Sequence, residues 1–405
     1  MLLEIDRLRA ARLEFDLARR HLPGQHDQST HAGKGGPAGQ VLPLGAGSLA
    51  LQRAYKEELG DAPSTDGMTM LVMDDDGVRI DAKMLVAERI EARMAEVPTQ
   101  TLVEEMADPR LGAIAMNEVD ARAMLLRDGD DVEVPELGYV KLGPRFIDKA
   151  TAGDLVDEAW QPGADRAAID KMLREQGWAP VGSPEAETAL RRMMVGELVH
   201  QWAITSNDSD PRSLAMQETA ARVFDVKGHA DWPASSYRDS ERRGLLADYG
   251  SSVYEPFLRA QYAETQDFLA RHNIAGMTLV RGMQDVPTLR GADDRAVSYP
   301  RVHVGTVTAA ARPLSAWSAS PSVGVRFAHG ESLPGDGTGE GAGSAVLAAR
   351  VPASRIFSTP LSGSGCLAED EVVVLGGSFP VRYVFADSQV LNPDLESLIV
   401  DEAPR

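Results

Sequence analysis

The sequence predicts an α+β protein, in which a helical segment over residues 185–273 is followed by a β-rich segment over residues 277–388. Two patterns support this prediction. Apolar residues recur at helical spacing in the first segment, and short apolar runs separated by Gly, Pro and Ser fill the second. A smaller acidic region of mixed strands and helices precedes both, over residues 41–180. The chain of 405 residues is long enough for two or three domains.

Residues 1–40 are expected to form an amphipathic helix over residues 2–20, followed by a flexible segment rich in His, Gly and Pro. Three histidines spaced five residues apart offer metal ligands, but their spacing matches no helical face, so no metal is expected. These histidines are His21, His26 and His31. The segment also resembles a short motif, HxPGQHDQxTH, of tailed-phage head and packaging proteins. This resemblance implies a phage-encoded or virion-associated protein that has phage head proteins among its partners.

The charge balance and the cysteine count exclude several classes of protein. The chain has 41 Lys and Arg against 61 Asp and Glu, a net charge of −20, whereas a nucleic-acid binder carries a basic surface. The single cysteine, Cys366, excludes an internal disulfide framework and a Cys-based zinc site. No run of 18 apolar residues occurs, so no membrane-spanning helix is expected, and the N-terminus lacks the apolar core of a signal peptide. We therefore expect the protein in a host cytoplasm or in a virion.

The acidic region over residues 41–180 is predicted to contain short elements of both kinds. Residues 69–73 predict a strand, residues 82–95 and 121–126 predict helices, and residues 132–142 predict an extended segment. No motif in this region identifies its role. The part of it over residues 68–147 is compatible with an independent domain.

Residues 185–273 predict a helical lobe. Its first helix carries an apolar residue at every fourth position, which forms a continuous stripe of Leu190, Met194, Leu198 and Trp202. Asp210 and Pro211 predict the start of the next helix, because Asp is a good N-cap residue and Pro fits the first helical turn. A third helix is predicted over residues 254–269.

From residue 277 onwards the sequence predicts strands. They cover residues 277–281, 302–308, 344–351, 371–375 and 380–386. The first strand ends at Arg281, whose permanently charged guanidinium suits a phosphate oxygen. Gly282 follows and leaves the backbone open to the close approach of a ligand.

Two further motifs in the β-rich segment carry polar side chains at element ends. Ser318 is predicted to end a strand just before a helix, because Ser320 is a good N-cap residue and Pro321 fits the first helical turn. Glu369 and Glu371 are separated by one residue just ahead of an apolar run. Side chains alternate between faces along a strand, so both carboxylates are expected to point into one shared space.

An arginine, a serine at a strand–helix corner and a Glu-x-Glu strand, in this order, resemble the mono-ADP-ribosyltransferase family. The match is to the arginine, serine, glutamate subclass that includes many bacterial toxins, and it implies NAD as the substrate. It implies that Arg281 grips the NAD phosphates and that the Gly282 backbone meets the nicotinamide amide. It also implies that Ser318 hydrogen-bonds and orients the catalytic Glu371, while Glu369 helps to activate the acceptor.

The resemblance covers residues 277–388 and, more loosely, the helical lobe before them. Both serines of the family's Ser-Thr-Ser motif are present, while Ala319 replaces the threonine. The resemblance implies that these serines, Ser318 and Ser320, contribute to binding of NAD. Phe327, on the helix that follows, either packs on an aromatic ring of the cofactor or belongs to the core. The loop over residues 357–368 is implied to recognise the protein acceptor.

Within a transferase-like domain over residues 185–390, these features predict an NAD-dependent mono-ADP-ribosyltransferase that modifies arginine side chains of a host protein. In this family a glutamate at the position of Glu369 accompanies arginine acceptors. Glu371 would stabilise the positive charge that develops on the ribose as nicotinamide leaves. Two alternatives stay open: an NAD glycohydrolase on the same fold, and a phage head structural protein with an inactive transferase-like domain.

Overall fold

The computed structural model shows a mixed helix and strand chain built on one large sheet, in agreement with the predicted α+β class. The residues that the structure describes are 40–59, 64–66, 69–73, 79–106, 108–111, 139–141, 167, 171, 174, 178–180, 183–205, 210–226, 238–286, 294–296, 302–329, 343–366 and 369–386. The helices predicted over residues 2–20 and 121–126 lie outside these ranges.

Most of the described strands belong to the large sheet. The strands are β1 (Gln40–Leu42), β2 (Ser64–Asp66), β3 (Thr69–Met73), β4 (Arg79–Asp81), β5 (Tyr139–Lys141), β6 (Trp178–Pro180), β7 (Ile274–Val286), β8 (Arg295–Ala296), β9 (Val302–Ser318), β10 (Gly343–Pro352), β11 (Ile356–Ser358) and β12 (Glu371–Ala386). Seven of them form one sheet in the order β1-β7-β10-β12-β9-β8, with β11 on β12 and an additional contact between β7 and β9. The β1–β7 pair is parallel, whereas the other pairs are antiparallel. Strands β2 to β4 and the pair β5–β6 form separate small sheets.

Strands β9 and β12 pair antiparallel over nearly their whole length. The sequence predicted two strands within β12, over residues 371–375 and 380–386, because glycine and serine lie between them. This break is wrong, since one strand runs through the glycines. The register shifts between Leu375 and Gly377, and Gly377 has a φ of 105°. A β-bulge therefore absorbs the residues that interrupt the apolar pattern.

The helices flank this sheet. They are α1 (Ala46–Leu59), α2 (Ala82–Arg93), α3 (Thr99–Met106), α4 (Pro184–Thr205), α5 (Pro211–Val223), α6 (Asp239–Tyr249), α7 (Glu255–Arg271) and α8 (Pro321–His329), with a π-helical turn at Gly250–Tyr254 between α6 and α7. Helix α5 begins as predicted, because the Asp210 carboxylate accepts hydrogen bonds from the backbone N–H groups of Arg212 and Ser213. Among the described helices, none has the length and apolar character needed to cross a membrane.

Helices α1, α2 and α3 share cores with the C-terminal half of the chain. The cluster that contains Leu51 of α1 also contains side chains of β7, β10 and β12. The cluster that contains Ile90 of α2 and Leu102 of α3 also contains side chains of α4, α5 and α7. The apolar faces of these helices therefore complete the cores of the segment that follows, and α2 and α3, which lie within residues 68–147, are not independent of that segment.

A buried ion pair fastens α3 to the helical lobe. Arg212 and Glu105 are 1% and 0% exposed, and two hydrogen bonds of 2.8 and 3.0 Å join the guanidinium to the carboxylate. Tyr254, in the π-helical turn, donates to the same carboxylate at 2.8 Å. Burial raises the pKa of Tyr254 well above its usual range, which favours the protonated hydroxyl that donates to Glu105. The network thus fixes one orientation of α3 against α5 and the π-helical turn.

Candidate active site

Three strands meet where the sequence places the arginine, the serine and the glutamates. Val280 of β7 is paired with Ser318 at the end of β9. On the other side of β9, Ser318 is paired with Glu371 at the start of β12. The main chain of Ser318 therefore lies between the strand that carries Arg281 and the strand that begins with the predicted catalytic glutamate.

Ser318 ends β9 as predicted, and α8 begins at Pro321, which puts Ser320 in the N-cap position. The Ser318 hydroxyl donates to the carbonyl of Glu369 at 2.7 Å and accepts the backbone N–H of Ser320 at 3.0 Å. The family resemblance implied that this hydroxyl would hydrogen-bond to Glu371, whereas its acceptor in the structure is the Glu369 carbonyl. The hydroxyl therefore holds the main chain of the turn two residues before Glu371.

The carboxylate of Glu371 is buried and is held by the loop that precedes it. The residue is 7% exposed, and its Oε2 accepts the backbone N–H of Cys366 at 2.8 Å. The backbone N–H of Glu371 in turn donates to the carbonyl of Cys366 at 3.0 Å. A main-chain donor fixes the direction of the carboxylate before any substrate binds, which is the condition for electrostatic stabilisation of a developing charge.

Glu369 lies in a turn rather than on the strand. Strand β12 begins at Glu371, and Asp370 between the two glutamates adopts a left-handed conformation with a φ of 45°. Alternation of side chains applies only within a strand, so it does not hold for this pair, and the shared space of the two carboxylates stays a prediction. The turn is closed by the N–H of Glu369, which donates to the carbonyl of Cys366 at 3.3 Å. It is also tied to α1, because the Ser48 hydroxyl donates to the Asp370 carboxylate at 2.7 Å.

Both acids of this turn have a raised pKa. Burial raises the pKa of Glu369, and the positive charge of Arg326 on α8 opposes the rise. Burial also raises the pKa of Asp370, and the hydrogen bond from Ser48 opposes it. A carboxylate with a raised pKa is a stronger base than an ordinary glutamate. Glu369 is therefore suited to take a proton from an attacking group.

Arg281 is half-buried, and its Nη1 donates to the hydroxyl of Ser315 on β9. The sequence analysis did not single out this serine. By strand alternation, Arg281 leaves β7 on the face of Leu279, whose cluster also contains Val372 of β12. Glu371 leaves β12 on the face opposite to Val372. The structure thus brings Ser318, Glu369 and Glu371 together at the turn before β12. The Arg281 side chain leaves the sheet on the face opposite to Glu371. Phosphate binding by Arg281 stays a prediction.

Gly282 is required because α8 crosses β7 at this position. A Cβ atom on Gly282 would meet the carbonyl oxygen of Gly324 at 2.0 Å and the backbone nitrogen of Ala328 at 2.5 Å. Helix packing therefore explains the glycine without a ligand. Binding of the nicotinamide amide by the Gly282 backbone stays a prediction.

We expect Gly282→Ala to destabilise the protein by about 1–3 kcal/mol or more, because a methyl group must push α8 away from β7. Urea unfolding measures the change. The matched control is Gly250→Ala, where the new Cβ would come no closer than 3.7 Å to the Leu246 side chain, so we expect no loss. Equal stability of the two variants would contradict the packing argument.

Two further residues that are predicted to bind the cofactor are Ser320, which precedes α8, and Phe327, which lies within it. The hydroxyl of Ser320 is 3.0 Å from the hydroxyl of Ser322. The carbonyl of Phe327 accepts the side-chain amide of Gln284 at 2.6 Å. Ser320 and Phe327 are both partly exposed and hence accessible to a ligand, and their roles in cofactor binding stay predictions.

The loop that leads to the glutamates is packed inside the protein. The resemblance implied that residues 357–368 recognise the acceptor. Every residue from Phe357 to Gly365 is buried, and Arg89 of α2 donates to the carbonyl of Leu361 at 2.9 Å. Exposure begins only at Cys366, so the described part of this loop presents almost no surface to another protein.

The turn that carries Glu369 and Asp370 and leads into Glu371 thus lies where the three strands meet. No family model, curated protein or solved structure matches this chain. Its function is therefore inferred from this turn and the strands around it. Within the described ranges, no cluster of three or more His, Cys, Asp or Glu side chains is arranged to hold a metal ion. The segment with His21, His26 and His31 lies outside those ranges.

Proposed function

We propose that the protein is an NAD-dependent mono-ADP-ribosyltransferase that transfers ADP-ribose to an arginine side chain of a host protein and releases nicotinamide. The observation that carries the proposal is the buried Glu371 carboxylate, which the N–H of Cys366 holds at 2.8 Å beside Ser318. Because the N-terminal segment resembles a motif of phage proteins, we expect the acceptor among host proteins and phage head proteins.

In the proposed reaction, the bond between nicotinamide and the ribose breaks and its electron pair leaves with nicotinamide. Positive charge develops on the ribose, and the preoriented carboxylate of Glu371 stabilises it. A guanidinium nitrogen of the acceptor then forms a bond to the same ribose carbon, and its proton passes to Glu369. Arg281, whose guanidinium donates to Ser315, is proposed to bind the NAD phosphates, because a permanently charged guanidinium suits phosphate oxygens.

We expect Glu369→Gln to lower arginine labelling by about a hundredfold or more, because an amide cannot accept the proton of the acceptor. Hydrolysis of NAD should be retained, because water needs less help than a protonated guanidinium. The measurement is incubation with labelled NAD and host lysate, in which protein labelling and nicotinamide release are followed together and the modified residue is identified. A parallel fall of both signals would contradict the division of roles.

The pH dependence supplies a second test of Glu369. Burial raises its pKa, so wild-type labelling should decline as the pH falls through that raised pKa and the base becomes protonated. The residual labelling by Glu369→Gln should lack this decline. Glu185→Gln, at an exposed position of α4, is the matched control and should keep the wild-type profile.

An NAD glycohydrolase is the second candidate, and the burial of the loop from Phe357 to Gly365 favours it. A loop without exposed surface offers no docking site to a protein acceptor. Water needs no such site, so the buried loop favours water as the acceptor. Addition of a generic guanidine compound separates the two functions, since a transferase forms an ADP-ribosyl adduct and a glycohydrolase still forms free ADP-ribose. Absence of any NAD turnover that depends on Glu371 would leave the inactive, structural head protein.

A further inference from the structure

The buried loop between β11 and β12 is held against α7 by side chains that the proposed reaction does not use. Gln261 of α7 is 0% exposed. Its Oε1 accepts two hydrogen bonds from Ser364, one from the backbone N–H at 3.1 Å and one from the hydroxyl at 3.0 Å. One turn later on α7, the hydroxyl of Thr265 lies 3.0 Å from the hydroxyl of Ser362.

Of the two polar atoms of the Gln261 amide, only the oxygen makes a hydrogen bond to a described residue. Its Nε2 is buried and finds no hydrogen-bond partner among the described residues. A buried donor without a partner costs stability, and an apolar side chain of similar size would avoid that cost. The acceptor oxygen is the atom of this amide that contacts the loop, and its two hydrogen bonds fix the position of Ser364.

The small residues of the loop follow from its path over this amide. A Cβ atom on Gly363 would meet the Cγ of Gln261 at 2.6 Å, so glycine is needed for the loop to approach α7. Gly365 has a φ of 139°, and a Cβ atom there would lie 2.8 Å from the carbonyl oxygen of Glu371. The run Ser362–Gly365 thus forms a packed connection between α7 and the start of β12.

This connection ends on the catalytic carboxylate. Ser364 is two residues before Cys366, whose backbone N–H donates to Glu371 Oε2 at 2.8 Å. The hydroxyl of Ser358 closes the loop from the other side, because it donates to the carbonyl of Ser364 at 2.5 Å. A displacement of Ser364 therefore moves the donor that directs the Glu371 carboxylate.

We propose that Gln261 is a positioning residue, which sets the direction of the Glu371 carboxylate through Ser364 and the backbone N–H of Cys366. The proposal rests on the proposed function of Glu371. It assigns the loop an internal role in the reaction, in place of the acceptor recognition that the family resemblance implied.

The test compares Gln261→Met with Gln266→Met on the same helix. Gln266 donates to the main-chain carbonyls of Ala353 at 3.0 Å and Ile356 at 2.9 Å, which lie before β11 and at its first residue, at the opposite end of that strand from the loop to Cys366. We expect both variants to lose thermal stability. Only Gln261→Met should lower kcat for nicotinamide release, by about tenfold to a hundredfold with little change in KM for NAD, because a misdirected carboxylate weakens the transition state alone.

The single cysteine supplies a readout that is independent of NAD. Cys366 is partly exposed and lies at the end of the loop, so its rate of reaction with a thiol reagent reports the loop position. Gln261→Met should speed labelling of Cys366 by about tenfold, whereas Gln266→Met should leave the rate near that of the wild type, because a local opening exposes only the segment that loses its contact.

The two readouts separate the two proposals. If wild-type protein releases no nicotinamide but Gln261→Met still speeds Cys366 labelling, the proposed function fails and the link from α7 to the loop stands. If kcat falls equally in Gln261→Met and Gln266→Met, or if Cys366 labelling is unchanged in Gln261→Met, the positioning role is overturned. Ser364→Ala removes one of the two bonds and should give an intermediate kcat if the role is correct.

Discussion

Replacement of Glu371 by glutamine should lower nicotinamide release by about a hundredfold to a thousandfold or more. The amide keeps the shape of the side chain and an oxygen that can accept the N–H of Cys366, but it lacks the negative charge. The ribose charge that develops as nicotinamide leaves is then left without its stabilising partner. Steady-state release of nicotinamide from NAD measures the loss, and thermal unfolding should show a folded protein.

The control for this variant is Glu197→Gln, which removes a carboxylate of similar burial from α4 in the helical lobe. It should retain NAD turnover close to that of the wild type. Turnover by Glu371→Gln within a few-fold of the wild type would show that the buried carboxylate carries no catalytic charge. Such a result would remove the main support for the transferase and the glycohydrolase alike.

Loss of the Arg212 guanidinium should produce the largest change in stability. Glu105 is 0% exposed, so Arg212→Met leaves a carboxylate buried with only the Tyr254 hydroxyl as a described hydrogen-bond donor. Removal of one partner from a buried ion pair costs about 3–5 kcal/mol, because the remaining charge is neither solvated nor compensated. Urea unfolding, with the midpoint and slope compared, measures this change in the free energy of unfolding.

Two comparisons separate charge from packing in this network. Arg222→Met breaks an ion pair with Glu255 that is largely exposed, at 60% and 30%, and should cost under about 1 kcal/mol. The combined variant Arg212→Met, Glu105→Leu, Tyr254→Phe removes every polar member and should recover most of the stability lost by Arg212→Met alone. If the combined variant is less stable than Arg212→Met, the cost lies in packing rather than in the unpaired carboxylate.

The elements predicted from the sequence were those with a strong local signal. Helix α5 begins at the N-cap predicted from Asp210 and Pro211, and α8 begins at Pro321 as its local sequence indicates. The single strand β12 was not predicted, because its bulge at Gly377 depends on pairing with β9, which no local pattern reveals. Helices α1 to α3 were assigned to a separate domain, because their acidic composition does not show which core their apolar faces complete.

The residue types of the site were predicted, but their connections were not. Sequence order named Ser318 and Glu371, and the register of β9 and β12 pairs them. The donor to Glu371 is a main-chain N–H, which leaves no trace in the sequence, and the contact of Arg281 with Ser315 follows from twist and register. The left-handed turn at Asp370 overrides strand alternation, so the relative placement of two neighbouring glutamates required the structure.

The bond between Ser48 and Asp370 joins residues that are 322 positions apart in the chain. Ser48 is synthesised long before Asp370, so α1 is already part of the nascent chain during most of the time in which its contact residue is missing. Contacts of such long range are slow to form, because the ends of a large loop must first be brought together. We therefore expect the turn that carries Asp370 to be among the last parts of the molecule to form, after both Ser48 and Asp370 have been synthesised.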